Sequence, residues 1–382
     1  MKKRFKRTTG RSDAGILGHQ TEDDPPGGRV CPTCGIRLDD KAASEFCPVC
    51  LLRMAFECGD DHQTKLSQNR DDLIQAEHSE SSIPEAARRE YDHFRIEVKE
   101  DGTLFELGRG AMGVTYKALD INLHRFVALK VISPRCVSDD STRQRFVREA
   151  RAAASLRHEH IASVYHLGST GSNYFYSMEF VEGQTLEQIL RSSGRLPKGL
   201  ALEITSQAAA ALAAAHQHQL VHRDIKPANL IISFDEKNRP TLKVIDFGLV
   251  KVSTEVSGDS SVSMPGIFMG TPHYASPEQF SGGQVDSRSD IYSLGITLWQ
   301  MLTNATPFSG SPTQVAAQHL QAPLPLSELR HLPHPVVSLL RHLLEKDPNN
   351  RPQTPEELLT ILNSTMKSVC APQGARHEQG RV

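Results

Sequence analysis

Apolar and polar positions along this chain change texture near Phe94, and regular periodicity then continues to about Met366. "VTYKALD" (114–120) alternates, "INLH" reads as a turn, and "RFVALKVI" (125–132) alternates again, which predicts strand, turn, strand. "TRQRFVREARAAASLRH" (142–158) carries Phe146, Ala150, Ala153 and Leu156 at helical spacing, so one face turns inward. "NLIISF" and "TLKVIDFG" read as two further strands joined by the polar turn "DEKNRP". Outside this region the pattern lapses. Residues 1–28, ending in "DDPPGG", read as disordered, 59–93 as a polar linker and 367–382 as a flexible tail. The partition is therefore 1–28, a small module at 29–58, the linker, a main domain at 94–366 and the tail.

Composition narrows the function classes. With 38% hydrophobic and 23% charged residues and a formal net charge of -2, no global field points to nucleic acid or membrane. No apolar run approaches the roughly 18 residues of a membrane span; "AAAALAAAH" (208–216) is short and flanked by polar residues. The basic start (Lys2, Lys3, Arg4, Lys6, Arg7) has no apolar core behind it, so it reads as a solvated terminus and not a signal peptide. Seven cysteines are too few for a disulfide scaffold in 382 residues, and a reducing, cytoplasmic compartment is expected.

Four of those cysteines form twin knuckles. Cys31-x-x-Cys34 and Cys47-x-x-Cys50 are separated by twelve residues, the delivery that tetrahedral Zn2+ takes from two thiolate pairs. The expectation is a structural zinc ribbon whose metal supplies most of its folding energy. Redox dithiols and unconnected buried cysteines are the alternatives; the former lacks a surrounding βαβ pattern.

Gly108-x-Gly110-x-x-Gly113 has three readings: a dinucleotide turn, a flap over ATP, or a surface turn. A dinucleotide fold requires a helix after the third glycine, and the alternation there predicts a strand instead. Lys130, seventeen residues beyond Gly113 on the next strand, is within reach of phosphates under a flap. A buried lysine needs an anion, and Glu149 on the following helix supplies a candidate; taken alone, it reads better as a surface charge beside Arg145 or Arg148. "LVHRDIKPANLIIS" packs His222, Arg223, Asp224, Lys226 and Asn229 between apolar runs, more polar groups than a strand start ordinarily carries. An antiparallel hairpin would bring Asn229 and Asp246 together, two oxygen ligands suited to Mg2+.

These motifs, with "GTPHYASPE", "SDIYSLG" and "DPNNRP", occur in the order and spacing of a eukaryotic-type (Hanks-type) Ser/Thr protein kinase, and residues 94 to 365 resemble the bacterial branch of that family. The resemblance implies an α+β, bilobal fold: a small antiparallel-sheet lobe, a larger helical lobe, and the zinc ribbon before them. It implies that Gly108, Gly110 and Gly113 admit ATP phosphates and that Lys130, held by Glu149, meets them. Asp246 and Asn229 would hold Mg2+, Asp224 would orient the attacking hydroxyl, and Lys226 would neutralise the transferred group. Thr271 resembles the threonine that bonds the catalytic aspartate and lysine. Met178 would guard the back of the adenine pocket, backbone groups of Glu179 and Val181 would bond the ring, and Leu107, Ala128 and Leu230 would wall it. Glu278 with Arg351, and Asp290 beneath the catalytic loop, would be structural.

Two residues depart from the family pattern: Thr115 stands where valine is usual over the adenine, and Ser276 where alanine precedes "PE". Neither touches phosphate or metal in that scheme. Ser257, Ser260, Ser261 and Ser263 are candidate phosphorylation sites that could pair with Arg223; the alternative is a flexible hydroxyl-rich loop. The expected activity is ATP-dependent phosphorylation of protein Ser/Thr hydroxyls. The rival is a pseudokinase scaffold, whose mark is loss of Lys130, Asp224, Asn229 or Asp246; all four are present. Beyond Arg29 at its edge, the ribbon carries only Arg37, Lys41 and Arg53 among acids, which favours a protein partner over nucleic acid.

Overall fold

A computed structural model describes residues 89–110, 112–137, 139–170, 173–247 and 271–370. The N-terminal stretch, the ribbon with Cys31, Cys34, Cys47 and Cys50, most of the linker, the serines at 257, 260, 261 and 263, and the tail from 371 lie outside the described residues.

Among these residues, the alternating segments form an antiparallel sheet: β1 (Glu90–Tyr91), β2 (Phe94–Ile96), β3 (Glu106–Gly110), β4 (Gly113–Asp120), β5 (Arg125–Ile132), β6 (Val164–Thr170) and β7 (Asn173–Glu179). Their order is β1-β2-β4-β5-β7-β6, with β3 on β4. Strand alternation gives the sheet two different faces. Val127 and Leu129 of β5 join Phe94, Ile96, Ala118 and Phe175 in a small core, while Ala128 and Ile132 face the larger core with Tyr176 and Met178. Helix α1 (Asp140–Ser155) covers that second face with Phe146, Ala150 and Ala153, and Asp139 caps its start by accepting from the Thr142 N–H at 2.8 Å.

The larger lobe begins with β8 (Gln184–Thr185) and the helices α2 (Leu186–Ser193) and α3 (Lys198–Gln217). Strands β9 (Leu230–Phe234) and β10 (Pro240–Val244) form the predicted hairpin, with β8 on the far edge of β9. Helices α4 (Pro277–Ser281), α5 (Ser287–Thr303), α6 (Pro312–Gln321), α7 (His334–Leu343) and α8 (Pro355–Cys370) follow. The alanines of α3 are mostly buried, so this stretch is a core helix. Helix α5 is buried almost throughout, and a Cβ at Gly295 would come within 2.8 Å of Leu343 Cβ; glycine there permits the close approach of α5 and α7.

Both expected boundaries move outward. Tyr91, assigned to the linker, pairs with Phe94 in the sheet and stacks edge-on against Phe175 at 5.5 Å. Helix α8 continues four residues beyond Met366, where Val369 still packs on the core. Among the described residues no helix is long and apolar enough to cross a membrane.

Candidate active site

The glycine motif is a β3–β4 hairpin closed by Gly110 opposite Gly113. Gly113 has φ +146°, and a Cβ there would lie 1.9 Å from Val131 O, so no other residue fits. At Gly108 and Gly110 the situation is reversed: an added Cβ would meet no protein atom within 4 Å. Packing does not demand those two glycines; what they provide is bare backbone over the cleft. The cleft beneath has a volume of about 640 Å³ and is lined by all three glycines, Leu107, Thr115, Ala128, Lys130, Met178, Glu179, Val181, Asp224, Lys226, Asn229, Asp246 and Thr271.

Register sets the back wall. Ala128 pairs with Met178, and Thr115, Lys130 and Tyr176 lie opposite one another across β4, β5 and β7, so their side chains share a sheet face. Met178 is buried and lines the cleft, and the Glu179 carboxylate meets Lys243 of β10 at 2.9 Å, linking the two lobes.

The segment from His222 to Asn229 is braced from below. Asp290 accepts the backbone N–H groups of His222 and Arg223, each at 2.7 Å, though burial raises its pKa above the usual carboxylate value. The Asp224 N–H donates to His222 Nδ1 at 3.2 Å, which places the ring proton on Nε2, 2.9 Å from Ile245 O. Arg223 is held at φ +66°, a conformation costly for a non-glycine residue and sustained here by those bonds. Asp224 Oδ2 then lies 2.8 Å from Lys226 Nζ and 3.1 Å from Asn229 Nδ2, and Lys226 Nζ donates to Thr271 Oγ1 at 3.3 Å. A carboxylate, an ammonium, an amide and a hydroxyl thus converge at one rim of the cleft.

Asp246 sits opposite, at φ +62°, with Oδ2 2.6 Å from Lys130 Nζ and Oδ1 2.8 Å from the Tyr176 hydroxyl. Burial opposes its ionisation, but the charge and hydrogen bond of Lys130, with the phenol's donation, outweigh burial and hold its pKa below the usual range. Asn229 donates its Nδ2 to Asp224 O at 2.8 Å, which turns the amide oxygen, a hard donor, to the other side. Among the described residues no group of three or more His, Cys, Asp or Glu could hold a metal alone. A carboxylate and an amide oxygen suit a cation that also takes phosphate and water ligands, as Mg2+ does.

Lys130 makes an ion pair with Asp246, while Glu149 is half-buried on α1 and does not line the cleft. One expectation requires correction: Leu230 does not wall the pocket. It points into the large-lobe core, fully buried, while Ile231, one residue on and on the opposite face of β9, lines the cleft. Sequence reasoning also passed over Tyr176, Ile245, Phe105 and Phe180. Period-two alternation counted from Lys130's partner strand would have found Tyr176.

The protein kinase domain profile matches residues 103–361. The chain is 40% identical to the serine/threonine-protein kinase PrkC of Bacillus subtilis over 257 residues, covering 66% of this chain and 38% of that protein. It is 41% identical to the serine/threonine-protein kinase PknB of Mycobacterium leprae over 260 residues, covering 66% and 40%. The chain thus spans about two fifths of the length of these curated relatives. Among solved structures, the PknI kinase domain of Mycobacterium tuberculosis is 29% identical and superposes with a TM-score of 0.56 over 72% of this chain and 97% of that one.

Proposed function

This chain belongs to the protein kinase family, and on that premise we propose that it transfers the γ-phosphoryl group of ATP to serine and threonine hydroxyls of proteins. One observation carries the reading: Asp224 is held within 2.8 Å of Lys226, which in turn reaches Thr271, at the mouth of a cleft whose roof exposes glycine backbone. In this scheme ATP lies under the hairpin, with its base between Ala128 and Ile231 and against Met178. Lys130 leaves Asp246 for the nucleotide phosphates and pairs with Glu149. Asp224 accepts the hydrogen bond of the incoming hydroxyl and orients its lone pair, and Lys226 offsets negative charge on the group in transit. Asp246 and Asn229 would hold Mg2+, which supplies charge compensation between the phosphates.

Glycine backbone without side chains above and cations on both sides are what a triphosphate needs. A scaffold without catalysis would not require the Asp224, Lys226 and Thr271 constellation. Cys31, Cys34, Cys47 and Cys50 would bind one structural Zn2+, on the strength of their paired spacing alone, and that module would dock a protein partner. The cysteine usage fits a reducing, cytoplasmic setting.

The test is incubation of the purified chain with γ-labelled ATP, Mg2+ and a basic protein, followed by phosphoamino-acid analysis. Label on serine or threonine in the wild type, absent from Asp224→Asn, is the expected result. Label equally strong in both would overturn the assignment of Asp224, and none in the wild type would overturn the reading. Metal analysis should find about one zinc per chain, lost when Cys31 and Cys34 are replaced by serine.

A further inference from the structure

Tyr176 lies in the middle of β7, fully buried, and its ring is 6.0 Å from Lys130 Nζ. Its hydroxyl donates to Asp246 Oδ1 at 2.8 Å. Two different donors therefore divide the Asp246 carboxylate: a phenol on one oxygen, an ammonium on the other. They differ in mobility. The ammonium rides on a flexible four-carbon stem and can be drawn away by phosphates. The phenol is packed on all sides in the core and fixed by its strand register opposite Lys130, so it cannot retreat. A buried phenol whose acceptor swung away would also keep an unsatisfied O–H, which is costly.

We infer that Tyr176 is a positioning residue for Asp246: its hydroxyl anchors one carboxylate oxygen to the back wall so that the other, on Lys130 here, is the one presented to Mg2+ and nucleotide. The inference rests on the proposed reading of the site. It accounts for the left-handed backbone at Asp246 as well, since a hydrogen bond to a fixed wall helps sustain a conformation with φ +62°. Period-two alternation in the "YFYSME" run puts Tyr176 on the same face as Met178, but only the hydroxyl's contact with Asp246 gives it this role.

The test is Tyr176→Phe, which keeps the ring and removes the donor. Mn2+ binding is measured by electron paramagnetic resonance on the full chain, in the presence of a non-hydrolysable ATP analogue, for wild type and variant. Nucleotide affinity is measured separately in EDTA. The expected result is a Mn2+ dissociation constant raised about ten- to a hundredfold, in the range of losing a hydrogen bond to a charged group, with metal-free nucleotide affinity unchanged. Unchanged Mn2+ affinity in a folded variant would make the phenol a space-filler, and tighter binding would make it a restraint on Asp246; either overturns the inference. A wild type that binds neither Mn2+ nor nucleotide would instead remove the kinase reading and the inference with it. Tyr176→Leu, apolar and without a donor, is the second variant, and failure of both to fold would assign the residue to stability alone.

Discussion

Two acid–base pairs in this molecule, one buried and one bordering the cleft, are built to opposite ends. Glu278 and Arg351, in the large lobe, are joined bidentately at 2.8 and 2.9 Å. The remaining guanidinium donors go to backbone carbonyls of Glu345, Arg288 and Lys346, and Ser289 adds a 2.5 Å bond to Glu278. Asp246 and Lys130, at the cleft, share a single contact at 2.6 Å between a strained backbone and a flexible stem. The first pair is saturated and has nothing left to offer a ligand. The second can exchange partners at small cost, because phosphates would replace the carboxylate and a cation would replace the ammonium. Saturation makes scaffold, and incomplete saturation beside a cavity makes a site.

The sharpest way to break this contrast is chemical. Asp224→Asn should reduce phosphoryl transfer by roughly 10³-fold, the range for removing a positioned acid–base group, while its unfolding curve stays near that of wild type. Next in size is the scaffold pair: Glu278→Gln strands a buried guanidinium and should destabilise the fold by about 3–5 kcal/mol, read by urea unfolding. Lys130→Met should cost about 1–2 kcal/mol, because Tyr176 still donates to Asp246 and the carboxylate borders the cleft. If Lys130→Met proves as destabilising as Glu278→Gln, the distinction between the pairs fails.

Comparable in size to the Lys130→Met effect is a pH dependence. His319 on α6 is buried, bonded to the Tyr292 hydroxyl at 2.9 Å and to His273 O at 3.1 Å. Burial, with the nearby Lys346 charge, lowers its pKa to about 3. The unfolded chain takes up this proton as pH falls below about 6.5 while the folded chain does not. Stability should therefore fall with pH between those two values, by about 1.4 kcal/mol per pH unit at most. Calorimetric melting at pH 7 and pH 5 measures the drop, and His319→Gln should shrink it.

The β4–β5 and β9–β10 hairpins and helix α1 were legible in the sequence because each lies in a local periodic pattern, whereas the placing of Thr271 beside Lys226 was implied only by the family resemblance. What was not legible depends on register and tertiary choice. Leu230 and Ile231 are adjacent apolar residues, and only the phase of β9 decides which one meets the cleft. Lys130 has two carboxylates within the scheme, and its contact with Asp246 is made across 116 residues of chain, which no local motif specifies. Tyr176 is one aromatic residue among several in a buried strand, and its hydroxyl acquires meaning only opposite Lys130. The extension of α8 to Cys370 reflects Val369 finding a core contact that a polar tail composition conceals.

The division between a chemical pair and a scaffold pair is tested most directly by phosphate transferred per folded molecule in Asp246→Asn and Glu278→Gln, with the folded fraction taken from unfolding curves. Asp246→Asn should be folded and nearly inactive, and Glu278→Gln less stable but active per folded molecule. Substantial transfer by folded Asp246→Asn would contradict the account.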